Sequence, residues 1–312
     1  MNTSRATLLG VLAILFWGTM VAMSRRLTEH LGAFTTGASI CTGAGIAGTA
    51  FLAVSGRISS LRALRPAYVL GCGALLVLYM VLIYWAVGGA ASRQEIVGVT
   101  VANYLWPGLT LVFSLPLLNY RARVAPLLLG MAACTCGVAL AALDGTPASR
   151  DGMTAGVRHG VVIAAAAAAA AWALYSNLSR RWAHNAGVSA VPLFLLAAGV
   201  CFLCLRLAFP EQSHWSISII LAAAYVAFCP TLLAYVFWDI GMRQGSVAML
   251  AVLAYTIPVL SLLTSRLCLG ITLRPVHWAG CALVIAGAAL CRASVRCPAR
   301  PEGDTQQVLE HP

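Results

Sequence analysis

The chain has 312 residues, of which 61% are hydrophobic and only 9% charged, far below the roughly 25% charged residues of a soluble domain. Its net charge of +11 comes from twenty basic residues that are all arginine. A nucleic-acid reading would need a solvated basic domain, and no segment is long and polar enough to make one.

Ten apolar runs of about 20 residues recur, the length that crosses the hydrocarbon core as a helix. They cover 7–23, 33–54, 66–88, 96–118, 124–143, 160–178, 188–209, 216–241, 246–268 and 276–293. The first carries Trp17 and Met20 inside the span and has no small-x-small site after it, so it reads as a retained helix and not a cleaved signal peptide. In the second, Gly37, Cys41, Gly45 and Thr49 recur every four residues, a stripe that lets another helix come close. The fourth carries Pro107, preceded by Asn103, Tyr104 and Trp106. The sixth opens on the alanine run Ala164 to Ala171, expected to pack on protein or line a cavity, the alternative being lipid-facing filler. Asp239, in the eighth, has Arg243 one turn on. An intramembrane carboxylate is a coupling candidate by default, but this spacing favours a structural salt bridge. The ninth carries Pro258, preceded by Tyr255 and Thr256.

These elements are written twice. Trp17, Ser24-Arg25-Arg26 is answered by Trp172, Ser179-Arg180-Arg181; Trp85-x-x-Gly88 by Trp238-x-x-Gly241; Arg93-Gln94 by Arg243-Gln244. Tyr104-x-x-Pro107 is answered by Tyr255-x-x-Pro258, and Gly130/Gly137 by Gly280/Gly287, at offsets drifting only from 155 to 150. Ordered matches at a steady offset argue for an internal duplication. Five spans per copy is an odd number, so the second copy must enter the membrane from the opposite side, the inverted-repeat plan of many secondary transporters. The expected fold is therefore an all-α integral membrane protein of ten transmembrane helices in two inverted five-helix repeats. Residues 1–143 form the first repeat, 144–159 a linker, 160–293 the second repeat and 294–312 a polar tail, read as disordered from Pro298. With the N-terminus inside, twelve arginines face the cytoplasm against eight outside, which places both termini in the cytoplasm.

Proline frees a carbonyl at mid-membrane depth, and such broken backbone persists where protein or a water-filled cavity covers it. Pro107 and Pro258 are thus candidate hinges, with packing kinks as the alternative. Trp17, Tyr79, Asn103, Tyr104, Trp106, Trp172 and Tyr255 are the candidate substrate-binding residues. Their indole, phenol and amide groups near freed carbonyls suit a zwitterion with an apolar or aromatic side chain, and core packing is the competing role for each ring. Cys134-x-Cys136 and Cys201-x-x-Cys204 have ligand-like spacing but no acid or histidine nearby in sequence, so small core residues are expected in place of a metal site. No deep acid/base pair, metal cluster or activated nucleophile is visible, which argues against an enzyme. Neither metal nor other cofactor is expected.

Several of these motifs resemble a known family. Tyr255-x-x-Pro258-Val259, Leu269-Gly270, Trp278-Ala279-Gly280 and Ile285-Ala286-Gly287 resemble the drug/metabolite transporter superfamily, EamA type, over about residues 7–293. Asn103-Tyr104-Leu105-Trp106-Pro107 resembles its YddG-type aromatic amino acid exporters. Ile271 stands where many members carry an acid, so roles of that acid do not transfer. The resemblance implies the substrate class, amino acids with aromatic and other apolar side chains preferred; the expectation is an exporter in the bacterial inner membrane that works by alternating access of the two halves, with a monomer as the working unit. Export of drugs or other metabolites, and a membrane-embedded enzyme, are the alternatives.

Overall fold

The computed structural model describes residues 2–90, 93–142, 159–184, 186–260, 263 and 275–296. The linker residues Asp144 to Arg158, the Leu269-Gly270-Ile271 motif and the tail from Pro298 lie outside the described residues, and His159 opens a helix in place of closing the linker.

The described chain is almost wholly helical. In order come α1 (Thr3–Leu31), α2 (Ala33–Val54) and α3 (Ala67–Gly89), then α4 (Arg93–Asn103), α5 (Trp106–Leu118) and α6 (Val124–Ala142). The remainder are α7 (His159–Ala183), α8 (Val191–Ala208), α9 (Ile217–Gln244), α10 (Val247–Ala254) and α11 (Pro275–Ser294). Two-residue strands Arg121–Ala122 and Val295–Arg296 pair antiparallel. Among the described residues, eight helices are long and apolar enough to cross a membrane, and 124–140 and 247–260 form two shorter apolar helices. The protein is a multi-pass membrane protein.

Several boundaries differ from the sequence reading for a common reason. Apolarity ends where the chain leaves the hydrocarbon, but i→i−4 bonding continues beyond it. Thus α1 runs to Leu31 through Arg25, Arg26 and Glu29, and α7 continues to Ala183. The fourth apolar run is two helices, α4 and α5, separated at Tyr104 and Leu105. A second device is a π-helical segment, Ala227–Leu233, inside α9; it holds Pro230, which frees backbone carbonyls without ending the helix.

Small residues set the closest crossings. A Cβ placed on Gly45 of α2 would lie 2.6 Å from the Leu196 backbone nitrogen of α8. Gly37 faces the Phe202 ring across the same contact. Where α6 crosses α11, the repeat-matched glycines face each other: a Cβ on Gly130 would lie 2.8 Å from the Gly287 carbonyl oxygen, and one on Gly137 2.7 Å from that of Gly280. The remaining packing is reciprocal: α1 lies on α9, and α7 on α3. The alanine run packs on protein, with Ala165, Ala168 and Ala169 fully buried, so α7 sits at the centre of the bundle against α3, α4, α5 and α9.

Candidate functional site

Six of the seven candidate binding residues converge. Trp17, Tyr79, Asn103, Tyr104, Trp106 and Trp172 line a cavity of about 130 Å³, together with Met20, Tyr235 and Ile257. The rings form a box. Trp17 meets its repeat counterpart Trp172 edge-on at 5.5 Å, and Trp106 meets both, at 6.2 and 6.1 Å. Tyr79 packs on Trp172 at 4.9 Å and Tyr235 at 5.2 Å. Trp238 closes the base, 5.3 Å from Trp17 and from Trp106. T-shaped pairs dominate, the arrangement that ring quadrupoles prefer, each worth about 0.5–1.5 kcal/mol beyond area burial.

Two of these indoles are fixed by hydrogen bonds. Trp17 Nε1 donates to the Pro230 carbonyl at 3.0 Å, so the π-helical segment of α9 supplies the acceptor that orients it. Trp238 Nε1 donates to Ser176 Oγ on α7 at 3.0 Å. By contrast, Trp172 Nε1 and Asn103 Oδ1 are buried without a hydrogen-bond partner among the described residues. Both residues line the same cavity. Leaving either hydrogen bond unmade costs about 1–3 kcal/mol.

Backbone breaks border this cavity twice, in the same register. In the first, the Leu105 nitrogen bonds the Ala102 oxygen at 3.3 Å, one residue short of α-helical spacing. In the second, Tyr255 and Thr256 make the same shortened bonds, to Val252 at 3.2 Å and Leu253 at 2.9 Å. Helix resumes at Trp106 and at Ile257, so each proline is the second residue of the new segment. The missing N–H there is one that no helix would have paired. The break therefore precedes the proline by two to three residues.

Tyr255 departs from the group. It lies outside the cavity lining, 1% exposed, with its hydroxyl against Gly108 of α5. At that break Ile257, the counterpart of Trp106, faces the cavity. Met20, Tyr235 and Ile257 went unrecognised in the sequence because each sits in an apolar run with no motif around it.

Below the aromatic box, Asp239 is fully buried and its ion pair with Arg243 forms as the spacing predicted, 2.9 Å from Nε to Oδ2. The carboxylate also accepts from Tyr68 at 3.0 Å, Tyr175 at 3.2 Å and Ser189 at 2.7 Å. Arg243 Nη1 donates to the carbonyls of Ala183 and Ala186. Arg180 Nη1 caps the end of α9 through Gly245 O at 2.7 Å, and His184 Nδ1 donates to Arg243 O at 2.6 Å. At the other end of the bundle the Glu211 carboxylate caps α2, accepting from the Phe34 and Thr35 nitrogens at 3.0 and 2.8 Å, the favourable placement for an anion. Arg206 donates to Thr35 Oγ1 at 2.7 Å. The cysteine pairs do not converge: Cys134 is buried against α11, while Cys136 is exposed. A wider groove of about 560 Å³ between α3 and α8 is lined by apolar side chains alone, such as Leu70, Val77 and Phe194, and offers nothing to orient a ligand.

The EamA-like transporter family model matches residues 159–292. The aromatic amino acid exporter YddG of Ancylobacter novellus is 33% identical over 304 residues, covering 95% of this chain and 100% of that protein. The proteins of the same name from Escherichia coli and Salmonella typhimurium are 27% and 26% identical, each covering 95% of this chain and 99% of the relative. A protein of known crystal structure superimposes with a TM-score of 0.78 at 31% identity, covering 93% of this chain and 96% of that one. The chain is a transporter and belongs to the EamA-like transporter family.

Proposed function

We propose that this protein exports amino acids, aromatic and other apolar ones foremost, across the bacterial inner membrane by alternating access. The observation that carries the reading is the cavity's unpaired donor and acceptor inside a box of rings. The substrate carboxylate accepts from Trp172 Nε1. The substrate ammonium donates to Asn103 Oδ1, and an apolar or aromatic side chain packs among Trp17, Tyr79, Tyr104 and Trp106. The names of the relatives point to the same class of solute. Tyr255 acts at one remove, by holding the second break against α5.

The ten apolar segments form two inverted five-helix repeats, 1–143 and 160–293, joined by the linker and followed by the tail. The matched helix breaks, the Gly130–Gly287 and Gly137–Gly280 contacts and the reciprocal packing of α1 on α9 and α7 on α3 support this plan. Pro107 and Pro258 are the hinges about which the halves rock, and both termini face the cytoplasm, in keeping with the arginine distribution. The working unit is the monomer. The test is efflux from liposomes containing the purified protein, under varied ion gradients. Asn103→Leu removes the acceptor and keeps the volume, so phenylalanine efflux falls about tenfold or more, the weight of a hydrogen bond to a charged group. Wild-type efflux by that variant overturns the binding mode.

A further inference from the structure

The cluster around Asp239 spans elements that must separate if the protein changes its open side. Asp239 and Arg243 belong to α9, Tyr68 to α3, Tyr175 to α7, and Ser189 to the turn before α8. Every polar atom of the carboxylate is engaged, and Asp239, Tyr68 and Tyr175 have no exposed surface. The charged cluster adjoins the aromatic box: Trp238 precedes Asp239 in sequence, and the Tyr175 ring lies 5.2 Å from that of Trp172.

The matching end of the other half is built differently. Trp238 is answered by Trp85, so Asp239 is answered by Ala86. Ala86 is buried in a small apolar cluster with Val99, Ala102, Val161, Ala164 and Ala165. Correspondingly, α9 packs on α7, whereas α3 and α1, which hold the matching positions, make no comparable contact among the described residues. Two halves that repeat each other in helix breaks and glycine contacts thus differ at their ends: one is joined by an ion pair and three hydroxyls, the other is not.

We propose that Asp239 is a gating residue of transport: its carboxylate bolts α9 to α3 and α7 at one end of the cavity, and the bolt must open in each cycle. Being buried, a pair of this kind is costly to break by removing one partner. It therefore weights the resting equilibrium toward the state closed at this end. This rests on the alternating-access reading above, while its test needs no substrate.

Cys72, buried one turn beyond Tyr68, is a native reporter of that end. Cys134, buried against α11, reports packing elsewhere. The full chain in liposomes is treated with N-ethylmaleimide and the rate at each cysteine is read by peptide mass mapping. Wild type reacts slowly at both. Tyr68→Phe, which keeps the carboxylate charge near Cys72, raises the rate there by about tenfold or more, a population shift toward the opened end; Asp239→Asn raises it at least as much, and both leave Cys134 slow. Asp239→Glu restores slow reaction, and the Asp239→Asn efflux defect lies in kcat with KM little changed. Tyr68→Phe removes a single hydroxyl and decides the matter should Asp239→Asn fail to fold. Cys72 unchanged in the folded variants overturns the proposal, and so does a joint rise at Cys72 and Cys134, which marks a general loosening. If wild type fails to move amino acids while Cys72 responds as expected, the substrate reading falls and the gate stands.

Discussion

The two broken helices share a geometry and use it differently. At the first break, Asn103, Tyr104 and Trp106 all turn toward the cavity, contributing an amide, a phenol and an indole. At the second, only Ile257 does, while Tyr255 is spent on Gly108 of α5. Similar breaks therefore present polar and aromatic side chains to the cavity on one side and an apolar one on the other. Two breaks matched in sequence can thus present different side chains to one cavity, because what faces inward is set by the residues beside each proline.

The sharpest way to break this comparison is to truncate the matched pair Trp106 and Ile257. Trp106→Ala is expected to reduce phenylalanine efflux about tenfold more than threonine efflux, the loss of a ring contact of up to about 1.5 kcal/mol. Ile257→Ala removes a buried side chain at a stability cost of about 2–5 kcal/mol and lowers both substrates alike. Competitive efflux of the two amino acids by equal amounts of folded protein separates these outcomes, and equal losses in Trp106→Ala would erase the distinction. A smaller effect is expected at the prolines. Because each is the second residue of its new segment, alanine regains no lost bond there and releases a fixed φ, worth about 0.4–1 kcal/mol. Efflux should slow a few-fold in Pro107→Ala and in Pro258→Ala, with melting temperature little changed. Unaltered rates in both would reduce the prolines to packing kinks. The smallest effect belongs to Tyr255→Phe, which removes one buried hydroxyl. It should lower stability by about 1 kcal/mol and leave the phenylalanine-to-threonine ratio alone; a changed ratio would put Tyr255 in the site after all.

Much of this architecture is legible in the order of residues alone, and the limits have physical causes. Apolar length announces a span because the bilayer imposes it. The Asp239–Arg243 pair can be read from its spacing of four, since such residues share a helix face. Its other partners cannot: Tyr68, Tyr175 and Ser189 stand 171, 64 and 50 residues from Asp239, and only the folded bundle brings them together. Proline marks a break but not its place, because the residue suits the first turn of the next helical segment. Nor does distance from a proline say which side chain faces inward. Tyr104 and Tyr255 hold equal spacing to their prolines, yet one lines the cavity and the other packs on α5, decided by the neighbours of each helix. Tyr235 is hidden for a simpler reason: one phenol in an apolar run carries no signal until the run is folded.

The aromatic box has a spectroscopic consequence. The chain has eight tryptophans, and four of them, Trp17, Trp106, Trp172 and Trp238, stand in mutual contact at 5.3 to 6.2 Å between ring centroids. Indoles so close couple their electronic transitions. Half of the protein's indoles therefore lie in or against the cavity lining, and a molecule entering the cavity is expected to change the circular dichroism and emission without any label.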